Sequence, residues 1–158
     1  GDTSARYGRN MRPMRGTATD RRPSRQPLFH YPYPAWRDSL AALARSGDPD
    51  PHFGYALEFT NPADGGAVMP TISAHVRLLP AGFTSRPRAS TDGTVFVVVE
   101  GRGTARVDGK DIALEARDTL VVPSWRTLVL EADTDLALFG YSDRTAQEKL
   151  GLFRELRG

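Results

Sequence analysis

The side chains with the clearest chemical potential in this chain are few and widely spaced. The sequence has three histidines, His30, His52 and His75, and no cysteine. No two of the histidines have the spacing of a metal-ligand pair, and the lack of cysteine excludes disulfides and thiolate chemistry. His75 lies on the polar side of an alternating segment, which favours a surface or hydrogen-bonded imidazole over a catalytic base. His30 and His52 lie in proline-rich segments and are expected to be structural.

Two arginines in the segment RPR, Arg86 and Arg88, offer different chemistry. A guanidinium group grips a carboxylate through two parallel hydrogen bonds, so the two could form an anion pocket. Ion pairing, with Asp92 as a partner of either arginine, is the simpler interpretation. Trp125 follows Pro123-Ser124. We expect its ring to be buried at the mouth of the fold, with stacking on an aromatic ligand as the alternative.

Short strands must position these residues. The most β-prone run is 94–100, TVFVVVE, and Gly101 and Gly103 predict a hairpin into a strand at 104–107. An Asp-Gly turn signal at Asp108-Gly109 separates that strand from the next one. Further strands are predicted at 55–60, 71–79, 118–122, 126–131 and 136–141. Short strands at near-regular spacing indicate a closed or sandwiched antiparallel sheet, and therefore an all-β fold.

Two helices are predicted to flank the strands. Apolar residues recur at helical spacing in WRDSLAALAR, residues 36–45, and again in RTAQEKLGLFREL, residues 144–156. In the second helix, Leu150, Phe153 and Leu156 would pack on the sheet or on a neighbouring molecule. Residues 1–34 are rich in proline and are expected to form an irregular arm.

The charge distribution narrows the classes of partner. The net charge is +2, yet residues 1–27 hold seven arginines against Asp2 and Asp20, a local +5, so the remainder carries about −3. These arginines lie among Pro, Gly and Thr without interleaved aromatic residues, so we expect no nucleic-acid partner. No apolar run approaches the ~20 residues of a membrane span, so we expect no membrane partner and a cytoplasmic protein.

The spacing of one stretch resembles the first motif of the cupins. Gly82 is followed by five residues, Arg88-Ala89-Ser90, three residues, Thr94, six residues and Gly101. A second frame runs from Arg117 through Pro123-Ser124-Trp125 to Leu128 and Ala132. The resemblance implies a double-stranded β-helix, or jelly-roll barrel, over residues 55–158. Residues 35–54 would be a short helix and connector.

Longer segments are similar to the C-terminal half of the gentisate 1,2-dioxygenase family. They are TNPADGGAVMPTI, STDGTVFVVVEGRG, VVPSW and YSDRTAQEKLGLFRE. That family consists of bicupin enzymes that open a dihydroxylated aromatic ring with O₂. The resemblance implies Fe(II) in the first cupin and none in this chain. It makes residues 1–34 an arm or inter-cupin linker, and the partners would be the N-terminal cupin half or further copies of the chain.

The family frame places four residues where a cupin holds its metal: Arg88, Ser90, Thr94 and Leu128. Arginine keeps its proton and repels cations, and leucine has no lone pair, so we predict no metal and no catalytic residue here. The first hypothesis is a metal-free scaffold and oligomerisation domain. The alternative is a stand-alone cupin that binds a small aromatic acid through Arg88, Ser90, Thr94 and Trp125. A metal-independent enzyme such as a sugar epimerase ranks last, because the assigned inward positions offer no histidine or carboxylate.

Overall fold

Two antiparallel sheets form the body of the molecule. The computed structural model describes residues 30–62 and 64–158. In chain order the elements are α1 (Tyr33–Ser46), β1 (Tyr55–Glu58), β2 (Ser73–Leu79), β3 (Arg88–Ser90), β4 (Thr94–Glu100), β5 (Arg102–Val107), β6 (Lys110–Glu115), β7 (Thr119–Val122), β8 (Leu128–Ala132), β9 (Leu136–Ser142), α2 (Arg144–Lys149) and β10 (Glu155–Arg157). The sheet orders are β1-β2-β9-β4-β7 and β10-β3-β8-β5-β6. The all-β prediction is confirmed, whereas most of the predicted arm, residues 1–29, lies outside the described residues.

The β-prone run forms β4 with the predicted bounds, but the hairpin predicted after it is wrong. β4 pairs with β7 and β9, while β5 pairs with β6 and β8 in the other sheet. Gly101, with φ +83°, carries the chain between the sheets, and a Cβ there would collide with the carbonyl oxygen of Asp135. The Asp-Gly turn is confirmed. Asp108 and Gly109 have φ values of 48° and 81° and join β5 to β6, as a tight hairpin turn requires.

The main core lies between the sheets and draws on both of them. Its largest fully buried side chains include Phe96 and Leu138 from one sheet and Leu130 from the other. A second cluster joins α1 to the outer face of the first sheet, with Leu40 packed near Val76. The helix was predicted from the spacing of its apolar residues, and those residues make this contact. Within the described residues, no helix is long and apolar enough to cross a membrane.

The two faces of β2 have unexpected environments. Its apolar residues Val76 and Leu78 point outward and are covered by α1. Its polar residues His75 and Arg77 point between the sheets, where Arg77 lies against the core residue Phe96. The amphipathic helix α1 therefore covers the apolar face of β2. The polar face of β2 then lines the space between the two sheets.

The predicted C-terminal helix is wrong beyond its first turns. α2 ends at Lys149, and Gly151 adopts φ +70°, a left-handed conformation that stops a helix. The chain then forms β10, which pairs with β3. Leu150 and Leu156 are 71% and 68% exposed, so they do not pack on the sheet, which was one of the two predicted contacts, and packing on a neighbouring molecule stays a prediction.

Candidate functional site

A polar cavity of about 210 Å³ lies at one end of the space between the sheets. Strands β2, β9 and β4 line it with residues in register. The row at the ends of these strands is hydroxylic and consists of Ser73, Ser142 and Thr94. The next row is His75, Gly140 and Phe96, and the third row is Arg77, Leu138 and Val98. The interior therefore changes from polar to apolar along the strand direction, except for the guanidinium of Arg77.

Three arginines line the cavity, and their counter-ions differ. Nε of Arg88 donates to Oε1 of Glu155 at 2.8 Å, and Nε of Arg144 donates to Oε1 of Glu148 at 2.7 Å. Arg77, which is 5% exposed, forms no ion pair within the described residues. Its burial, reinforced by the positive charge of Arg88, lowers the pKa of Arg77 to about 9.

The guanidinium of Arg77 is held between two rings instead. It lies 4.9 Å from the ring centroid of Phe53 and 5.0 Å from that of Phe96. The guanidinium of Arg88 also lies 5.0 Å from the Phe53 centroid. Cation–π contacts of this kind contribute about 0.5–2 kcal/mol, less than the several kcal/mol that burial of a charge costs. The charge of Arg77 is therefore only partly compensated.

His75 is an interior residue. Its ring meets Phe96 edge to face, with centroids 5.7 Å apart, and its Nε2 is buried without a hydrogen bond to any described residue. Burial, together with the positive charges of Arg77, Arg88 and Arg144, holds the pKa of His75 well below its usual range. The imidazole is therefore neutral at neutral pH. The prediction of a surface or hydrogen-bonded imidazole is wrong.

Asp92 is the second unexpected interior residue. It is 5% exposed, and its Oδ2 accepts a long hydrogen bond of 3.4 Å from Oγ1 of Thr94. Its Oδ1 is buried without a partner among the described residues. Within that part of the chain Asp92 pairs with neither Arg86 nor Arg88, contrary to prediction, because Glu155 occupies Arg88.

The four residues at the metal positions of the cupin frame do meet in space. Arg88, Ser90, Thr94 and Leu128 all line a small cleft beside the cavity, and Arg88 and Thr94 line the cavity as well. This donor set does not fit Fe(II), because it presents a guanidinium already bonded to Glu155 and an aliphatic side chain. Over residues 30–62 and 64–158, no group of three or more His, Cys, Asp or Glu is arranged to hold a metal.

Trp125 is not buried, so that prediction is wrong. Its side chain is 52% exposed, and it lines neither the cavity nor the cleft. The residue adopts φ +60°, and its backbone N–H donates to the carbonyl of Ser90 at 2.7 Å. This left-handed turn directs the ring away from the interior, while the backbone holds the turn to β3.

Comparison with known proteins places these features in a family. Gentisate 1,2 dioxygenase 1 of Aquipseudomonas alcaligenes is 45% identical over 161 residues, which cover 99% of this chain. The chain belongs to the gentisate 1,2-dioxygenase family. The match spans 44% of that relative, so the chain spans less than half of its length, which is consistent with the C-terminal half. The 5-aminosalicylate 1,2-dioxygenase of Comamonas sp is 33% identical, covering 84% of this chain and 36% of the relative.

Solved structures of ring-cleaving dioxygenases are also similar to this chain. Salicylate 1,2-dioxygenase from Pseudaminobacter salicylatoxidans superposes with a TM-score of 0.75 at 32% identity, covering 80% of this chain and 38% of that one. Its gentisate adduct gives the same TM-score and covers 36% of that chain. No family model matches the chain. The gentisate 1,2-dioxygenase resemblance and the cupin fold implied by the motif spacing are both confirmed.

Sequence reasoning missed the interior set of His75, Arg77 and Asp92. The alternation places His75 and Arg77 on one polar face, and it favours a surface or hydrogen-bonded position for His75. The signal that could have corrected this is the amphipathic helix upstream. An apolar helix face needs an apolar surface to cover, and the outward face of β2 provides one.

Proposed function

We propose that this chain is the metal-free C-terminal cupin half of a gentisate 1,2-dioxygenase-like ring-cleaving enzyme. The observation that carries the proposal is the ion pair between Arg88 and Glu155 at a metal position of the frame, in a chain that matches part of such enzymes over 99% of its own length. The reaction would oxidise gentisate or a related hydroxybenzoate to a ring-opened keto acid. Fe(II) and the residues that hold it would belong to the N-terminal cupin half, in a cytoplasmic enzyme.

The role of this half would be to support the other cupin and to build the oligomer. An aromatic band on the outer face of the first sheet supports this role. Ring centroids follow one another from Tyr31 to Phe59 at 4.7 Å, to Phe139 at 6.2 Å and to Tyr141 at 6.2 Å. Tyr141 is 40% exposed and Val121, two strands away, is 60% exposed. The exposed apolar side chains beyond the part of this band that α1 covers fit a protein partner, either the N-terminal half or a second copy.

The test is complementation between two polypeptides. This chain alone, supplied with Fe(II), should show no gentisate turnover, and adding an N-terminal cupin polypeptide should restore it. Val121→Glu should weaken the restoration, whereas Lys110→Glu, on the exposed end of β6, should leave it unchanged. Turnover by this chain alone with Fe(II) would contradict the proposal.

A second candidate is a module that binds a small aromatic acid at Arg88, Ser90, Thr94 and Trp125. The observation that favours it is that Arg88, Ser90 and Thr94 line one cleft, and that the exposed Trp125 is held near this cleft by the hydrogen bond from its backbone N–H to the Ser90 carbonyl. In this case Arg88→Ala and Trp125→Ala should each abolish salicylate binding. Retained binding in both variants would exclude it.

A further inference from the structure

The polar cavity contains three buried polar atoms with unused hydrogen-bonding capacity. They are Nε2 of His75, Nε of Arg77 and Oδ1 of Asp92, and none has a partner among the described residues. Such atoms are rare in folded proteins, because burial removes their hydrogen bonds to water without replacing them. All three belong to residues that line the same cavity. Their grouping around one cavity indicates a site that is completed by a group outside the described residues.

The first requirement on that ligand is a negative charge. Arg88 and Arg144 already have carboxylate partners in Glu155 and Glu148. Arg77 is the cavity arginine without one in the described part of the chain, and it is 5% exposed. A guanidinium binds a carboxylate in a planar, two-point geometry. A ligand carboxylate on Arg77 would therefore supply the missing counter-ion.

The second requirement is a hydrogen-bond donor. Oδ1 of Asp92 can only accept while the carboxylate is ionised, and an anion without a donor would bring oxygen lone pairs against it. A hydroxyl group on the ligand satisfies Asp92 where a second carboxylate would not. The cavity of about 210 Å³ limits the ligand to a small molecule.

We propose that this cavity binds a small hydroxycarboxylate, with the carboxylate on Arg77 and the hydroxyl group donating to Asp92. His75 also lines this cavity, with Nε2 lying against Gly140. The proposal goes beyond the scaffold role, because it gives this half a ligand site that involves neither iron nor ring cleavage. It also differs from the small aromatic acid module, which depends on Arg88 and Trp125.

Calorimetric titration of the full chain tests the proposal with two matched pairs of acids. The aliphatic pair is lactate and propionate, and the aromatic pair is 2-hydroxybenzoate and benzoate. In each pair the second acid lacks the hydroxyl group of the first. We expect saturable one-site binding of at least one hydroxy acid, tighter than binding of its partner without the hydroxyl. Arg77→Met should weaken that binding roughly tenfold or more, because a charge-assisted hydrogen bond is lost. Asp92→Asn should remove the preference for the hydroxyl, and Arg106→Met, on a half-exposed surface arginine, should change nothing.

Three results would overturn the proposal. The first is no saturable binding of any of the four acids. The second is equal binding by Arg77→Met and Arg106→Met. The third is binding that depends on Trp125 and not on Arg77, which would place the acid at the second candidate site described above, that of the aromatic-acid module. If either interior variant fails to fold, nuclear Overhauser contacts between bound acid and the rings of Phe53 and His75 in the unmodified chain decide the matter. Because binding is measured on this chain alone, its outcome is independent of the turnover assay.

Discussion

Nε of Arg88 and Oε1 of Glu155 lie 2.8 Å apart, and this bond ties a metal position of the cupin frame to the last strand of the chain. Glu155 also accepts a hydrogen bond of 2.5 Å from Nε of Arg157. β10 is paired with β3 so that Arg157 lies opposite Arg88. A protein carboxylate between two guanidinium groups therefore lies beside the metal position of the frame that Arg88 occupies.

The charge state of Glu155 predicts a pH-dependent contribution to stability. Partial burial would raise the pKa of Glu155, but hydrogen bonds from Arg157 and Arg88 outweigh it and lower the pKa to about 2, from 4.5. The unfolded chain therefore takes up this proton at a higher pH than the folded one. The stabilisation is complete above about pH 4.5 and is lost as the pH falls toward about 2.

Urea unfolding across this range measures the effect. Glu155→Gln should lower the free energy of unfolding near neutral pH, and its difference from the unmodified protein should shrink on acidification. Glu131→Gln serves as the control, because Glu131 forms a half-exposed ion pair with Arg106 and should have a much smaller effect. A Glu155→Gln difference that is independent of pH would contradict the assignment.

His75 should resist protonation in the folded state. Buried near Arg77, Arg88 and Arg144, with Asp92 as the acidic residue of the same cavity, the imidazole has a pKa well below 6.5. As the pH falls below 6.5, unfolded His75 binds a proton that folded His75 does not, so stability decreases.

Nitrogen-detected NMR titration of the imidazole checks this prediction. Arg77→Met should raise the pKa of His75, because one of the positive charges is removed, whereas Arg106→Met should not. A His75 that titrates near 6.5 in the folded protein would contradict burial of the ring.

Gly140 makes room for the ring contact between His75 and Phe96. It lies opposite both residues in the sheet, and a Cβ on it would be 2.5 Å from Nε2 of His75 and 3.1 Å from Cδ1 of Phe96. We expect Gly140→Ala to lower the free energy of unfolding by about 1–3 kcal/mol, as overpacking does. Gly93→Ala is the control, because no atom lies within 4 Å of the Cβ it would add. Thermal unfolding of both variants is the measurement, and equal effects would contradict the argument.

Arg77→Met should make the protein more stable. Burial of a charge costs several kcal/mol, whereas contacts with Phe53 and Phe96 contribute about 0.5–2 kcal/mol each. Methionine fills a similar volume without the charge, so we expect a gain of about 1 kcal/mol or more in urea unfolding. A loss of stability would mean that these ring contacts outweigh the burial of the charge. A gain in stability combined with weaker acid binding would show that Arg77 is retained for the ligand.

Most strands could be predicted from the sequence because they are long, apolar and bounded by turn residues. β4 and the Asp108-Gly109 turn are the clearest cases. β3 and β10 were missed because each has three residues and polar composition, and they form only by pairing with each other and with β8. Strands of this kind depend on tertiary contacts and leave little local pattern.

The candidate site was harder to predict than the fold. The motif spacing identified Arg88 and Thr94, which line the cavity. The spacing of the motif along the strands stays recognisable even where the metal-binding side chains are replaced. It did not identify His75 or Arg77, since periodicity shows that a strand has two faces but not which one is inside. That choice depends on α1, a separate element.

The covering of β2 by α1 has a consequence for how this domain can be handled. Without the helix, Val76, Leu78 and Phe139 would present a bare hydrocarbon surface to water. A shortened gene product that begins at Tyr55 would keep strands β1 to β10. It would still be expected to precipitate, because the apolar face that α1 covers would associate with other molecules. Any expression boundary for this half therefore belongs upstream of Tyr33.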